Sequence, residues 1–336
     1  RSSGRWSNGR DESSIQAAYC HLIKHAERYI YIENQFFISG GKAGGKNRIL
    51  DALVMRIIRA FKARRPFKVY IFLPLFPGME GPVDSDDAKP IRIIMYLQYS
   101  TIVRGKKSLY SRLHAAGVDC PESYLRFYSL RTWEMRADGL PVTEMVYIHS
   151  KCIIVDDQAA VIGSANINDR SMVGNHDSEV AYLIRDTDEF EEIREGSGNR
   201  GKVKVGKFCR QLRDQLLADI LGPVPGFNTE DLASDTTFDS IYKIASLNTS
   251  LYDAIFKVIP SNNVQSLETL KRLRTSRKSQ LVTPDTFADR DEVLENDDLL
   301  SGIRGLVVVF PLDFLKESHQ DLCPGVGQRE LRQLFG

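Results

Sequence analysis

An α/β protein built as a layered sheet flanked by helices is what this chain of 336 residues predicts. Three observations carry that expectation. Short runs rich in aromatic and β-branched residues alternate with segments whose apolar residues recur at helical spacing, the β-α-β rhythm of a layered sheet. The chain is 42% hydrophobic and 26% charged, enough apolar matter for a substantial core. Proline and glycine punctuate the runs at lengths suited to strands and helices.

The elements follow in order. Ser13 and Ser14 precede Ile15, Ala18, Tyr19, Leu22, Ile23 and Ala26, a helical stripe behind N-cap candidates. Tyr29 to Ile38 reads as a strand, Gly40 to Gly45 as a flexible loop, and Ile49 to Phe61 as a second amphipathic helix. Lys68 to Leu73 is a strand stopped by Pro74 and Pro77. A polar loop, Pro82 to Pro90, leads to helices at Ile91 to Val103 and Leu109 to Ala116, then to a strand at Leu125 to Leu130. Val146 to Asn166 reads as strand, tight turn at Asp156-Asp157-Gln158, and strand. Val180 to Ile184 adds a strand and Lys207 to Ile220 a helix. From Gly222 the texture changes to prolines and polar stretches with short helical patches. Arg274 to Asp298 reads as a solvated surface loop, and Gly305 to Phe310 as a late strand. Residues 1–221 are thus expected as one lobe, and 222–336 as an irregular extension packing on it.

The Val146–Asn166 segment contains His149, Lys151 and Asp156 in an H-x-K-x4-D pattern, followed by Gly163, Ser164 and Asn166. On an extended chain, side chains two apart share a face, so His149 and Lys151 are expected to project together. An imidazole beside a cation holds a phosphate while giving or taking a proton. A lysine inside a buried strand is costly without an anionic partner. Gly163 is expected to let backbone N–H groups approach an anion, with Ser164 and Asn166 adding hydrogen bonds. Asp156 begins the turn, seven positions from His149, and its expected role is structural, fixing that turn through backbone hydrogen bonds. Glu179 is the candidate to accept from the second ring nitrogen of His149, with Asp177 as the rival. Glu33, Asn34 and Gln35 sit at the end of an apolar strand, where α/β sheets present ligand contacts and strand-end caps alike.

Net charge is +1, which supplies no global field for nucleic acid. Five scattered cysteines without a C-x-x-C pair read as reduced thiols, neither disulfide frame nor zinc site. His21 and His25 stand i, i+4 but lack a third ligand nearby, so no metal is expected. No apolar run approaches membrane-spanning length and no opening stretch reads as a signal peptide. The start at Arg1, without methionine, reads as a fragment. Phe36, Phe37 and Phe76 fit either core or acyl-chain contact, and His176 fits a surface loop. Arg104 to Lys107 and Lys271 to Lys278 are basic clusters, solvated faces or headgroup contacts.

These residues resemble the C-terminal half of the catalytic region of a eukaryotic phospholipase D of the phosphatidylcholine-hydrolysing type. The H-x-K-x4-D segment matches the wider superfamily, which also includes nucleases and phosphatidyl-transferases. Tyr31 to Ser39 (Y-I-E-N-Q-F-F-I-S), Gly163 to Met172 and Asp177 to Glu179 narrow it, and weaker similarity runs through Asn248 to Pro260 and Gly305 to Leu315. The resemblance implies two similar α/β lobes meeting at a shared site, each giving one H-x-K element, of which this chain holds the second. It implies two-step transfer through a phosphohistidine. A histidine in the upstream half attacks phosphorus, and His149 protonates the departing choline oxygen and then activates water or an alcohol. Lys151, Asn166 and Ser164 would bind the phosphoryl oxygens. It implies a phospholipid substrate at a membrane surface, a cytoplasmic, peripherally membrane-associated protein, no cofactor for the chemistry, stimulation by phosphoinositide, and no nucleic-acid partner. A non-catalytic membrane-binding scaffold is the reading from another class. The chain departs from the family in the loop Pro82 to Pro90, which lacks a glycine-rich stretch, and at its end, Arg329 to Gly336, which lacks a hydrophobic Trp-Thr terminus.

Overall fold

The computed structural model describes residues 1–3, 11–40, 45–78, 82–196, 199–223, 229–276 and 286–323. Ser2–Ser3 (β1) pairs antiparallel with Glu12–Ser13 (β2), and Ser14–His25 (α1) follows. Tyr29–Glu33 (β3), Ile49–Lys62 (α2) and Lys68–Phe72 (β4) form a β-α-β unit. It is closed by parallel pairing of β3 with β4, which requires the helical crossover. Lys89–Ile102 (α3) and Leu109–Ala115 (α4) lead to Leu125–Met135 (β5) and Pro141–Val146 (β6). Cys152–Val155 (β7) and Ala159–Gly163 (β8) form the hairpin of the motif, followed by Asp169–Met172 (α5) and Ala181–Arg185 (β9). Glu189–Gly196 (β10) and Asn199–Gly206 (β11) make a separate antiparallel ladder before Lys207–Leu221 (α6). Asp235–Phe256 (α7), Leu267–Ser276 (α8), Arg290–Glu295 (α9) and Val307–Val309 (β12) complete the described elements.

The central sheet has eight strands in the order β12-β5-β4-β3-β7-β8-β9, with β6 paired to the far half of β5. β3, β4 and β5 are parallel, and the other pairings are antiparallel. Strict alternation sorts the strands onto two cores. Ile30, Ile32, Val69, Ile71 and Ile153 face the layer of α1, α2, α3 and α4. Tyr29, Tyr31, Tyr70, Phe72 and Tyr128 face α6 and α7. Both faces are covered, which is why these strands read as nearly continuous apolar runs. On the second face the ring of Phe72 lies 5.1 Å from Tyr31 and 5.2 Å from Tyr128.

Several expectations are revised here. The strand expected to reach Ile38 ends at Glu33, because the chain then turns around the Asn34 side chain, which accepts from the Phe36 amide at 3.2 Å. The ladder of β10 and β11, charged along its length, carries too weak an apolar pattern to be read from sequence. Arg274 to Asp298, expected as a surface loop, includes the end of α8 and all of α9 among its described residues. Helix α9 opens with a capping box in which Asp289 and Glu292 each accept from the other's backbone. The segment after 222, expected as an irregular extension packing on the lobe, contributes the 22-residue helix α7 to the tyrosine-lined core and β12 to the central sheet. Asn248 of α7 stitches them, donating to the carbonyls of Arg304 (2.7 Å) and Val307 (2.8 Å). Residues 277 and 278 of the second basic cluster, and the terminus 329–336, lie outside the described residues.

Candidate active site

The sheet pairing gathers the motif residues at one edge. β3 runs antiparallel to β7, so Glu33 at its end lies opposite Cys152, the first residue of β7. Cys152 also faces Ile162 near the end of β8, and Gly163 faces Ala181 at the start of β9. Glu33–Gln35, His149–Lys151, Gly163–Asn166 and Asp177–Glu179 therefore meet at that edge though distant in sequence.

His149 and Lys151 were expected on a strand; they occupy an extended segment between β6 and β7 instead. The Lys151 carbonyl still extends the ladder, accepting from the Gly163 amide at 3.1 Å. His149 is exposed and Lys151 is buried, 8% accessible. The Lys151 ammonium donates to the His149 carbonyl and to the Gln35 amide oxygen at 3.1 Å. Burial pulls its pKa below the ordinary lysine value, and the charge of Glu179 opposes that shift. The His149 ring lies 6.3 Å from the ring of Tyr147.

The Glu33-Asn34-Gln35 run reaches three parts of the site. Glu33 accepts from Ser150, between His149 and Lys151, and from Tyr31. Asn34, fully buried, accepts from the Ile167 amide (3.0 Å) and donates to the Ala165 carbonyl (3.4 Å), fixing the strand exit that carries Asn166. Gln35 receives Lys151 on its oxygen and donates from its nitrogen to Tyr147 at 3.0 Å. Tyr147 in turn donates to the Pro77 carbonyl at 2.7 Å. Tyr147 and Ser150 were not singled out by sequence; their places beside His149 were the available signal.

Gly163 has a different job from the one expected. Its amide is taken by Lys151 and that of Ser164 by the Val180 carbonyl at 3.0 Å, so these two N–H groups do not aim at an anion. A Cβ at Gly163 would lie 2.4 Å from the Val180 oxygen and 2.5 Å from the Ala181 Cβ, so only glycine permits the approach of β8 to β9. The Ser164 hydroxyl donates to Glu179, whose other oxygen accepts from Ser171 at 2.7 Å. Glu179 thus reaches the site through Ser164, and no hydrogen bond joins it to the His149 ring among the described residues. Asp177 is taken by Arg170, with contacts of 2.7 and 3.0 Å, which removes it as a ring partner. Asn166 presents a buried side-chain oxygen that has no donor among the described residues, where buried polar atoms are ordinarily paired.

Asp156 accepts from three backbone amides, Glu27 (2.6 Å), Arg28 (2.9 Å) and Tyr29 (2.8 Å). It fixes the connection between α1 and β3, a farther target than the turn it was expected to brace. Burial pushes its carboxyl above the ordinary aspartate range, and the amides pull it back. Asp156 and Asp157 have φ of 55° and 56°, the signature of a type I′ hairpin turn. Asp157 is fully buried against Arg213 of α6 at 2.8 Å, a pair the sequence did not announce.

Phe37 is core, while Phe36 and Phe76 pack at its margin. Arg104 is absorbed structurally, donating to the carbonyls of Leu312 and Phe314 and lying over Tyr99. His21 meets Arg185 at 3.3 Å on the exposed side of α1, and His176 is exposed. The five cysteines are free. No helix among the described residues is long and apolar enough to cross a membrane.

A family model described as Phospholipase D matches residues 6–222. Phospholipase D1 of Homo sapiens is 37% identical over 338 residues, covering 98% of this chain and 30% of the human protein. Phospholipase D zeta 1 of Arabidopsis thaliana is 39% identical over 351 residues, covering 98% and 31%. Phospholipase D2 of Bos taurus is 38% identical over 333 residues, covering 98% and 34%. The chain spans roughly a third of the length of these curated relatives.

Proposed function

Because this chain belongs to the phospholipase D family, we propose that it carries one half of a site that cleaves phosphatidylcholine to phosphatidic acid and choline. One observation supports this above the others: Gln35 seats the Lys151 ammonium against the backbone of His149, with Glu33 and Asn34 holding the flanking segments. A cation held against the backbone of the residue that bears the imidazole, at a sheet edge, suits a phosphodiester, whose charge must be neutralised as a proton moves.

The first H-x-K element comes from a segment outside these 336 residues, the upstream half, and its histidine attacks phosphorus. Protonated His149 gives its proton to the departing choline oxygen; the neutral ring then takes a proton from water, which breaks the phosphohistidine bond and releases phosphatidic acid. A primary alcohol in place of water yields a phosphatidyl alcohol. Lys151 and Asn166 bind the phosphoryl oxygens, and Glu179 acts by orienting the Ser164 hydroxyl. The chemistry needs no cofactor. The protein works on the cytoplasmic side as a peripheral membrane protein stimulated by phosphoinositide, with no nucleic-acid partner.

The test combines this chain with a polypeptide carrying the first element and measures choline release from phosphatidylcholine vesicles. His149→Ala should lower turnover by ~10²–10⁴-fold, the usual share of general acid–base catalysis. Turnover unchanged by His149→Ala would sink the reading, as would cleavage of single-stranded DNA without choline release.

A further inference from the structure

At the end of the sheet opposite the motif edge, where β3 begins, a cavity of about 360 Å³ opens between the C-terminal ends of α1 and α2. Lys24, His25, Glu27, Arg56, Arg59 and Arg65 line it, four fixed cations against one carboxylate. The local sequence is equally one-sided: Arg59 to Lys68 holds five cations and no acid, in a chain whose net charge is only +1. Elsewhere arginines are neutralised, as Arg28 is by Asp231, Arg112 by Asp51, Arg126 by Asp239 and Arg170 by Asp177. Among the described residues, Lys24, Arg56, Arg59 and Arg65 have no carboxylate within ion-pair distance.

Helix ends account for part of this arrangement. Arg56, 5% exposed, donates to the carbonyls of Ala26 and Glu27, and Arg59 donates to that of Lys24, so both quench the carbonyl end of α1. They leave the Arg56 Nη1 without a protein acceptor among the described residues, on a guanidinium held flat by the ring of Phe67 at 3.7 Å. The exposed side chains of Lys24 and Arg65 have no protein partner that a helix end would explain. Burial and the charge of Arg59 pull the Arg56 pKa down to about 10, against the opposing charges of Asp156 and Glu27.

We propose that this cavity is a binding site for a phosphate-bearing anion, held by Arg56 at its floor and by Lys24, Arg59 and Arg65 at its rim. Guanidinium groups in a partly enclosed space match phosphate oxygens in geometry and charge. The same chemistry comes from a free polyphosphate or from a lipid headgroup. The site is separate from the one proposed for catalysis and stands whether or not the chain cleaves a lipid.

The test titrates pyrophosphate into the Lys151→Ala chain, which lowers binding at the motif edge, and follows it by calorimetry. The titration is repeated in a triple variant with Lys24→Glu and Arg65→Glu added, two exposed positions whose side chains hold nothing in the fold. Saturable binding that weakens at least tenfold in the triple variant, at equal melting temperature, is expected, and it should weaken with added salt. In parallel, sedimentation with phosphatidylcholine vesicles, with and without phosphatidic acid, assigns the source. Acid-dependent sedimentation lost in the triple variant points to a headgroup, and pyrophosphate binding alone to a free ligand. No saturable binding, or equal affinity in both chains, overturns the proposal.

Discussion

The ammonium of Lys151 sits in a buried seat made by the Gln35 amide oxygen and the His149 carbonyl. Both acceptors are neutral, and burial lowers the pKa, so the proton leaves at a lower pH than from an exposed lysine, for which it is about 10.4. The sign for stability is opposite to that for binding. Between the lowered folded pKa and the unfolded one, the unfolded chain binds more protons, so stability rises with pH while the charge available to a phosphate is lost. Gln35→Leu should move the Lys151 titration further down, and Gln35→Glu should move it up; side-chain NMR of labelled Lys151 measures both. In the active assembly, Gln35→Leu should cost up to about 10²-fold in kcat/KM through loss of placement. A titration unmoved by either substitution would show that Gln35 does not hold the ammonium.

At the scale of elements, Asp156 is a clamp between the hairpin of β7 and β8 and the entry to β3. Asp156→Ala leaves three amides without an acceptor, and buried donors left unpaired cost about 1–3 kcal/mol each. The variant should lose several kcal/mol in urea unfolding while its folded fraction keeps its specific turnover, whereas His149→Ala should do the reverse. What the sequence revealed and hid follows the same division between near and far. The hairpin turn at Asp156-Asp157 and the helices α1, α2 and α6 rest on local spacing and were readable. The D-x-x-E at Asp289 was a local cap signal as well, overshadowed by its charged surroundings. The partners of Asp156 lie 127 to 129 residues away, and Gln35 and Lys151 lie 116 apart, so no spacing rule connects them. The role of Gly163 depends on how near β9 comes, which only the folded sheet decides.

Across the whole molecule, the sheet is closed late. Val307, Val308 and Val309 pair with Leu130, Ser129 and Tyr128, and Asn248 fastens that strand to α7. A ribosome delivering this chain would expose the β5 border long before its cover emerged, a bare template for pairing with a neighbour. A version truncated after Ile303 should therefore self-associate and lose its single cooperative unfolding transition, which size exclusion and calorimetry would detect; a monomer melting sharply would contradict this. Synthesis of this protein should accordingly lean on holding chaperones until β12 is in place.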